Sequence, residues 1–343
     1  MLLGELARGG MGVVYRAHDP SLGRDVAVKV ITTGLDAEAL HRFRLEGEAA
    51  ARVSHPNVLA IHDLGVHEGR PFLVMDLAAG SLRDRLRRTG PLPAEEACAL
   101  LAPIADALGA LHEAQILHRD LKPENVLLDA TGRPLLANFG IAKSMDRETR
   151  YTASGEVLGS PAYMAPEQAK GEISSLDART DVYGLGAILY ELLTGQPPFL
   201  GRSVLDLLTQ VCSAPATPPS QLAPAIGPRV EAIVLRCLEK DPAARYPSAA
   251  ELASALRGAA VKGSGGSRRA LGAGLGLLGL GVGAALILAS LAGGPAAPSG
   301  SALPRRAPQL KVAQVGNTTR EGTFELRVRL EPPSSRALRL ELS

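Results

Sequence analysis

Residues 118–125, which read His-Arg-Asp-Leu-Lys-Pro-Glu-Asn, constrain this 343-residue chain more than any other stretch. Asp120, Lys122 and Asn125 place a carboxylate, a cation and an amide in one short loop. A lone Asp or Asn is typical of an ordinary turn. The whole string of eight residues is far more specific than a lone turn residue and argues against that alternative. Further along, residues 138–140 read Asn-Phe-Gly and add a second amide.

Composition narrows the class of protein. Hydrophobic residues make up 46% of the chain, enough for a packed core, so disorder throughout is excluded. Lys and Arg total 37 against 35 Asp and Glu with no basic stripe, so no nucleic-acid partner is expected. The cysteines Cys98, Cys212 and Cys237 lie far apart. That spacing argues against a disulfide framework or a zinc site and fits a reducing compartment.

The segment 270–291 is uncharged and rich in Leu, Gly and Ala. At ~1.5 Å per residue, a helix of this length reaches about 33 Å, enough to cross a bilayer core. A buried soluble helix is the alternative, but so many glycines disfavour a helix in water and are common in membrane spans. We therefore predict one transmembrane helix and a lipid bilayer as partner. Four cations precede the segment and place its N-terminal side in the cytoplasm, at the cell membrane: Arg257, Lys262, Arg268 and Arg269.

The rest of the chain divides around this segment. Residues 1–257 form a mixed domain, residues 258–269 contain Gly-Ser-Gly-Gly-Ser and predict a flexible juxtamembrane linker, and residues 292–343 form an extracytoplasmic tail. Alternation over residues 323–330 predicts a strand in that tail. Small residues on one stripe of the transmembrane helix let two copies approach closely and predict a homodimer, with the general abundance of glycine in this chain as the alternative explanation. The stripe consists of Gly272, Gly276, Gly279 and Gly283.

The N-terminal segment has a glycine-rich turn between two predicted strands, Leu2–Leu6 and Val13–Ala17. Such a turn lets backbone N–H groups approach phosphates without a Cβ in the way. A strand rather than a helix follows the glycines, which argues against a dinucleotide-binding fingerprint. Taken alone, the segment also fits an ordinary hairpin turn. Lys29 then lies inside an apolar strand, residues 25–31, where a snorkelling edge lysine is the alternative.

Together these patterns resemble the serine/threonine protein kinases, in the single-pass membrane form found in bacteria. Residues 118–125 match the catalytic loop of that family without a gap, and residues 138–140 stand where the family has Asp-Phe-Gly. Three later segments match as well, namely residues 159–167, 181–186 and 240–245. The resemblance covers about residues 1–257. It implies an α+β, two-lobed protein-kinase fold, with a small antiparallel sheet lobe and one helix at about 1–78, and a larger helical lobe at about 79–257.

The resemblance also assigns roles to site residues. Asp120 would accept or orient the substrate hydroxyl proton, and Lys122 would neutralise the transferred phosphoryl group. Lys29 would hold the α- and β-phosphates of ATP. Its partner would be Glu46, on a helix predicted over residues 37–53, with Glu48 as the nearest competitor.

Further residues are implied to hold metal or nucleotide. Asn125 and Asn138 would ligate Mg²⁺, with Mn²⁺ as an alternative metal. The other implied ATP contacts lie in the glycine segment, the sheet and the connection between the lobes: Ala7, Gly9, Gly10, Gly12, Val14, Ala27, Met75, Asp76, Ala78 and Leu127.

Two more features concern the activation segment. Arg119 supplies a cation that would pair with a phosphate there, and the candidate acceptors are Thr152 first, then Ser154 and Thr149. Arg245 would pair with Glu167.

Two functions of different class follow. One is a membrane-anchored kinase that transfers the ATP γ-phosphate to Ser or Thr of protein substrates in signalling, weakened by Asn138 in place of the metal-binding aspartate. The other is a pseudokinase that acts as a nucleotide-binding or scaffolding module. The first is favoured because Lys29, Glu46, Asp120, Lys122 and Asn125 are all present.

Overall fold

A computed structural model describes residues 1–9, 12–32, 37–138 and 161–260, together with two short strands in the tail. Residues 2–76 contain a five-stranded antiparallel sheet and one helix, which we call the small lobe. Its elements are β1 (Leu2–Gly9), β2 (Gly12–Asp19), β3 (Arg24–Ile31), α1 (Ala37–Ala51), β4 (Ile61–His67) and β5 (Arg70–Asp76). The strand order is β1-β2-β3-β5-β4. The predicted small antiparallel lobe with one helix is therefore confirmed.

Register and packing in the small lobe follow from its apolar residues. In β3 the residue Ala27 lies opposite Met75 of β5, and Lys29 lies opposite Val14 of β2. Helix α1 packs against the sheet through Phe43, which is fully buried. Antiparallel strands joined by short turns need only one face covered, and α1 supplies that cover.

Residues 80–260 form a mainly helical body, which we call the large lobe. Its elements are β6 (Gly80–Ser81), α2 (Leu82–Thr89), α3 (Ala94–Glu113), β7 (Val126–Leu128), β8 (Pro134–Leu136), α4 (Pro166–Lys170), α5 (Ala178–Thr194), α6 (Val204–Ser213), α7 (Pro219–Leu222), α8 (Pro228–Cys237) and α9 (Ala249–Ala260). The short strands β6, β7 and β8 form a separate antiparallel sheet. The loop 118–125 leads directly into β7, so this sheet positions the reactive loop.

Helix α5 is the centre of the large lobe, and its residues from Thr180 to Leu193 are buried. Two glycines allow close approach of its neighbours. A Cβ on Gly184 would lie 2.9 Å from Leu121 Cβ, and one on Gly186 would lie 2.2 Å from Cys237 Cβ. The first of these contacts brings the reactive loop directly against α5, because Leu121 belongs to that loop.

Two details differ from expectation. Strand β1 extends to Gly9, because pairing of Arg8 with Val13 and of Gly9 with Gly12 continues the ladder into the glycine segment. In the tail, β9 (Phe324–Arg329) confirms the strand predicted over residues 323–330, and an unpredicted strand β10 (Ala337–Leu342) pairs with it in antiparallel orientation. In the described parts of the chain, no helix is both long and apolar enough to span a membrane. Residues 258–260 end α9, whereas the rest of the predicted linker and the segment 270–291 lie outside those parts.

Candidate active site

The reactive loop is fixed to the large lobe by one carboxylate. Asp181, near the start of α5 and only 1% exposed, accepts the backbone N–H of His118 at 2.9 Å and that of Arg119 at 2.9 Å. His112 Nε2 lies 2.8 Å from the same carboxylate. Burial alone would raise the pKa of Asp181, but the hydrogen bonds from His112 and from the backbone N–H of His118 hold it below its usual range. The loop backbone is therefore tied to a buried, ionised group.

The loop histidine adds a second fixed contact. His118 is fully buried, its Nε2 lies 2.9 Å from the carbonyl of Ala137, and its Nδ1 lies 3.2 Å from the backbone nitrogen of Asp120. Because a carbonyl only accepts and an N–H only donates, Nε2 must carry the proton and Nδ1 must be bare. This tautomer orients the main chain of Asp120 toward the site.

Asp120 sits among the polar residues of its own loop. Asn125 Nδ2 donates to Asp120 Oδ2 at 2.9 Å and to the Asp120 carbonyl at 2.7 Å. Lys122 Nζ lies 3.4 Å from Asp120 Oδ2. The structure thus brings together the predicted catalytic acid–base group, the predicted cation and one predicted metal ligand. A carboxylate beside an ammonium can accept a hydroxyl proton while the cation faces negative charge.

The second amide, Asn138, connects the two lobes. It follows β8 and has φ of 60°, a left-handed backbone that Asn tolerates better than most residues. Its Oδ1 accepts from Lys29 Nζ at 3.0 Å, and its Nδ2 donates to Asn125 Oδ1 at 3.0 Å. The predicted phosphate-binding lysine and the two predicted metal ligands are therefore in direct contact. Phe139 and Gly140 lie outside the described residues.

The predicted partner of Lys29 is Glu46 on α1. Glu46 is half-buried whereas Glu48 is exposed, so the helix turns Glu46 rather than its competitor toward the protein. Burial lowers the pKa of Lys29, an effect that the charge of Asp120 opposes. The pairing of Lys29 with Glu46 stays a prediction.

The predicted adenine pocket forms an apolar cluster. Ala27 and Met75 are buried, and Val14 and Leu127 are partly buried against the same core. The backbone N–H of Asp76 donates to the carbonyl of Ala60 at 3.1 Å, so this N–H is already bonded within the protein. These residues gather apolar surface next to backbone polar groups, as a nucleotide base requires.

The glycine segment is only partly described. Ala7 and Gly9 lie in β1, and a Cβ on Gly9 would meet nothing within 4 Å. A Cβ on Gly12 would lie 2.1 Å from the Val30 carbonyl, so packing between strands already requires that glycine. Gly10 and the three candidate phosphorylation sites fall outside the described residues. Their roles stay predictions.

One charged network was not predicted from the sequence. Arg83 of α2 donates to Glu124 at 2.8 Å and to Glu191 of α5 at 2.6 Å, and Tyr163 Oη donates to Glu191 at 2.5 Å. It links the reactive loop, the segment after the activation region and the central helix. Two members lie in segments that the sequence singles out, Glu124 in residues 118–125 and Tyr163 in residues 159–167. Arg83 and Glu191 lie in helices and belong to none of the motifs recognised in the sequence.

A second contact was also missed. His62 Nε2 lies 2.6 Å from Asp76 Oδ1 at the connection between the lobes, and this hydrogen bond lowers the pKa of Asp76. By contrast, the expected pair in the large lobe is confirmed. Arg245 Nη1 and Nη2 donate to the two carboxylate oxygens of Glu167 at 2.8 and 2.9 Å, and both side chains are buried. Such a bidentate pair is strong and directional.

The donor set of the predicted metal site is neutral. Asn125 and Asn138 offer amide oxygens only, and each of these oxygens already accepts an N–H or ammonium hydrogen. No group of three or more His, Cys, Asp or Glu side chains that could hold a metal occurs among the described residues. Mg²⁺ prefers carboxylate oxygens and gives up its waters reluctantly. The side chains as arranged do not fit a magnesium ion held by charge.

Comparison with known proteins identifies the family and supports the fold. The family described as protein kinase domain matches residues 2–255. A serine/threonine-protein kinase PknB of Mycobacterium leprae is 41% identical over 258 residues, which is 73% of this chain and 41% of that protein. A probable serine/threonine-protein kinase of Corynebacterium efficiens is 40% identical over 263 residues, covering 73% of this chain and 40% of that protein.

A solved structure agrees. The Mycobacterium tuberculosis PknI kinase domain has a TM-score of 0.60 and 31% sequence identity, and the match covers 76% of this chain and 94% of that one. The chain belongs to the protein kinase domain family, and its domain is of the ATP-dependent serine/threonine class. The chain spans about two fifths of the length of the curated relatives it matches.

Proposed function

We propose that this protein is a membrane-anchored serine/threonine kinase, acting in signalling, that transfers the γ-phosphate of ATP to Ser or Thr of protein substrates at a reduced rate. The observation that carries the proposal is Asp120 held beside Lys122 and Asn125 in a loop tied to the buried Asp181. Family membership supports the reaction class. The neutral pair Asn125 and Asn138 supports the reduced rate.

Three residues of the loop have parts in the proposed transfer. Asp120 accepts the proton of the incoming hydroxyl, and its geometry is preset by the Nδ2 of Asn125. Lys122 balances the negative charge that develops on the transferred group. Lys29 contributes a further cation on the side of the small lobe. Mg²⁺ in this family neutralises phosphate charge, and Asn138 has no carboxylate with which to hold it.

Phosphate on the activation segment is the proposed mode of regulation. Arg119 lies directly before Asp120 and adopts φ of 61°, and Gln168 Nε2 donates to its carbonyl at 2.9 Å. A phosphorylated Thr152, Ser154 or Thr149 would supply an anion for this arginine. Mass spectrometry of protein expressed in bacteria tests this. Active protein with an unmodified stretch from residue 149 to 154 would contradict it.

Membrane anchoring rests on the sequence of residues 270–291, with the kinase domain on the cytoplasmic side. We further propose that its glycine stripe pairs two copies and brings two kinase domains together. A membrane two-hybrid assay that compares wild type with Gly276→Ile and Gly279→Ile tests the pairing. Equal signals from all three chains would exclude it.

The direct test of the proposed function is phosphate transfer by the full chain in detergent. ATP labelled at the γ-phosphate, a mixture of Ser- and Thr-containing peptides and either Mg²⁺ or Mn²⁺ are supplied. Slow labelling of Ser and Thr, lost in Asp120→Asn, is expected. If neither wild type nor Asn138→Asp transfers phosphate while ATP still binds, the pseudokinase alternative replaces this proposal.

A further inference from the structure

A continuous row of hydrogen bonds joins Lys29 of the small lobe to Asp120 of the reactive loop. Lys29 Nζ donates to Asn138 Oδ1 at 3.0 Å, and Asn138 Nδ2 donates to Asn125 Oδ1 at 3.0 Å. Asn125 Nδ2 then donates to Asp120 Oδ2 at 2.9 Å. Every bond in the row has ordinary length. The nucleotide side of the site is thus already connected to the catalytic side.

The two ends of the row fix the orientation of both amides. A lysine ammonium only donates, so the Asn138 atom that faces it must be oxygen. A carboxylate only accepts, so the Asn125 atom that faces Asp120 must be nitrogen. The remaining Asn138 nitrogen then meets the remaining Asn125 oxygen, which is a correct donor–acceptor pair. The assignment of each amide follows from its neighbours and needs no observed hydrogens.

An aspartate at position 138 could not complete this row. Its second oxygen would face Asn125 Oδ1, and two acceptors at about 3 Å repel unless a cation or a proton lies between them. In wild type, Asn138 Nδ2 takes the place of that second oxygen and donates its N–H to Asn125 Oδ1. The amide hydrogen thus takes the place of a bridging cation.

The charge at position 138 decides how the row meets a polyanion in the absence of metal. Lys29 and Lys122 are both cations, and the Asp120 carboxylate interacts with each of them. An aspartate at position 138 would add a further negative charge and require a metal to offset it. With an asparagine there, this added repulsion of the phosphates is absent.

We propose that this site binds ATP without a divalent cation, with Asn138 as the positioning residue that replaces the metal bridge between Lys29 and Asn125. The inference rests on the proposed function, because it concerns nucleotide binding at the same site. It differs from that function in a measurable way, since binding can be followed without any transfer of phosphate.

The test is isothermal titration calorimetry of the full chain in detergent with ATP, in EDTA or in Mg²⁺. For wild type, the two dissociation constants are expected to agree within about threefold. For Asn138→Asp, EDTA is expected to weaken ATP binding by about tenfold or more relative to Mg²⁺, because the added carboxylate faces acceptors and phosphates. Asn317→Asp adds the same charge in the tail and is expected to match wild type. Thermal unfolding of each variant reports whether it is folded.

Asn138→Ala separates bridging from charge. It removes the N–H and the oxygen but adds no carboxylate, so ATP binding in EDTA is expected to weaken by about threefold to tenfold, with little response to Mg²⁺. Wild-type binding that falls by more than about tenfold in EDTA would overturn the inference even if phosphate transfer succeeds. Failure of phosphate transfer, with wild-type binding to ATP unaffected by EDTA, would overturn the proposed function and leave this inference standing.

Discussion

Two buried carboxylates of the large lobe differ from Asp63 of the small lobe in how they are compensated. In the large lobe, Asp181 accepts two backbone N–H groups and a histidine, and Glu167 receives both nitrogens of Arg245. In the small lobe, Asp63 of β4 is only 9% exposed, and the backbone N–H of Leu64 donates to one of its oxygens. Its Oδ2 has no hydrogen-bond partner among the described residues.

This contrast distinguishes a fixed part of the site, the reactive loop held by paired buried charges, from an adjustable part, the nucleotide side around Asn138. Paired buried charges hold the reactive loop in one geometry, because breaking such a pair leaves an uncompensated charge. The nucleotide side depends on the exposed amide Asn138 and on two hydrogen bonds of ordinary length. A change at that side therefore alters chemistry without refolding the loop, which explains how an asparagine can stand there beside an intact catalytic loop.

The largest expected effect comes from the fixed part. Asp120→Asn keeps the shape of the side chain and still accepts from Asn125, but removes the proton acceptor. Phosphate transfer is expected to fall by roughly a thousandfold, the usual range for a general base. Initial rates are measured for Asp120→Asn both in the wild-type background and in the Asn138→Asp background, which gives two independent comparisons. ATP binding should be retained in both, and a rate reduced by less than about tenfold would remove Asp120 from its assigned role.

The next effect concerns the stability of the large lobe. Arg245→Leu leaves the carboxylate of Glu167 buried without its cation, although Thr180 Oγ1 still donates to it at 2.9 Å. The free energy of unfolding is expected to drop by about 3 kcal/mol or more, since removal of one partner of a buried pair strands the other charge. Chemical denaturation of the full chain in detergent measures this.

A matched control exists in the same lobe. Arg257 pairs with Asp106 at 2.5 Å, but its side chain is 55% exposed. Arg257→Leu is expected to cost less than about 1 kcal/mol, as surface pairs do. Equal losses for Arg245→Leu and Arg257→Leu would contradict the distinction between buried and exposed pairs.

Much of this comparison could be predicted from the sequence, and the limit has a physical reason. The cluster of Asp120, Lys122 and Asn125 was predictable because its contacts lie within one short loop. The pair Glu167 and Arg245 followed from the resemblance. The bond between Arg83 and Glu191 joins residues 108 positions apart, and neither belongs to a recognised motif.

Two finer features depend on three-dimensional arrangement. The sequence predicts Asn138 as a weaker metal ligand, but its N–H bond to Asn125 depends on side-chain orientation in the folded chain. Strand β1 runs farther than its glycines suggest because pairing with β2 outweighs the low strand preference of glycine.

A smaller effect is expected at the adjustable side. Asn138→Asp should speed phosphate transfer by roughly a hundredfold in Mg²⁺, corresponding to ~3 kcal/mol of transition-state stabilisation at about 1.4 kcal/mol per tenfold. The reason is that a carboxylate gives the metal a full charge where the amide gives a neutral oxygen. Steady-state kinetics at saturating ATP measure the change. The rate of wild type with Mn²⁺ should lie between the rates of wild type and Asn138→Asp with Mg²⁺, because Mn²⁺ binds N and O ligands more tightly than Mg²⁺ does. A variant no faster than wild type would show that Asn138 does not limit turnover.

The smallest effect tests the poorly compensated carboxylate of the small lobe. Burial raises the pKa of Asp63 to about 6, and the hydrogen bond from Leu64 opposes this only in part. Between about pH 4 and pH 6 the folded state therefore binds more protons than the unfolded state, so this group makes the protein more stable as the pH falls.

Asp63→Asn removes the titration. At pH 7.5 the variant is expected to be more stable than wild type by about 1–2 kcal/mol, less than the full shift implies because the amide nitrogen lacks an acceptor. The advantage should shrink as the pH falls toward about 4, where Asp63 is protonated in the folded state and about half protonated in the unfolded state. Melting temperatures of both chains from pH 4 to 8 measure this, with Glu48→Gln on the exposed face of α1 as the control. A difference between the two chains that does not change with pH would show that Asp63 is already compensated at neutral pH.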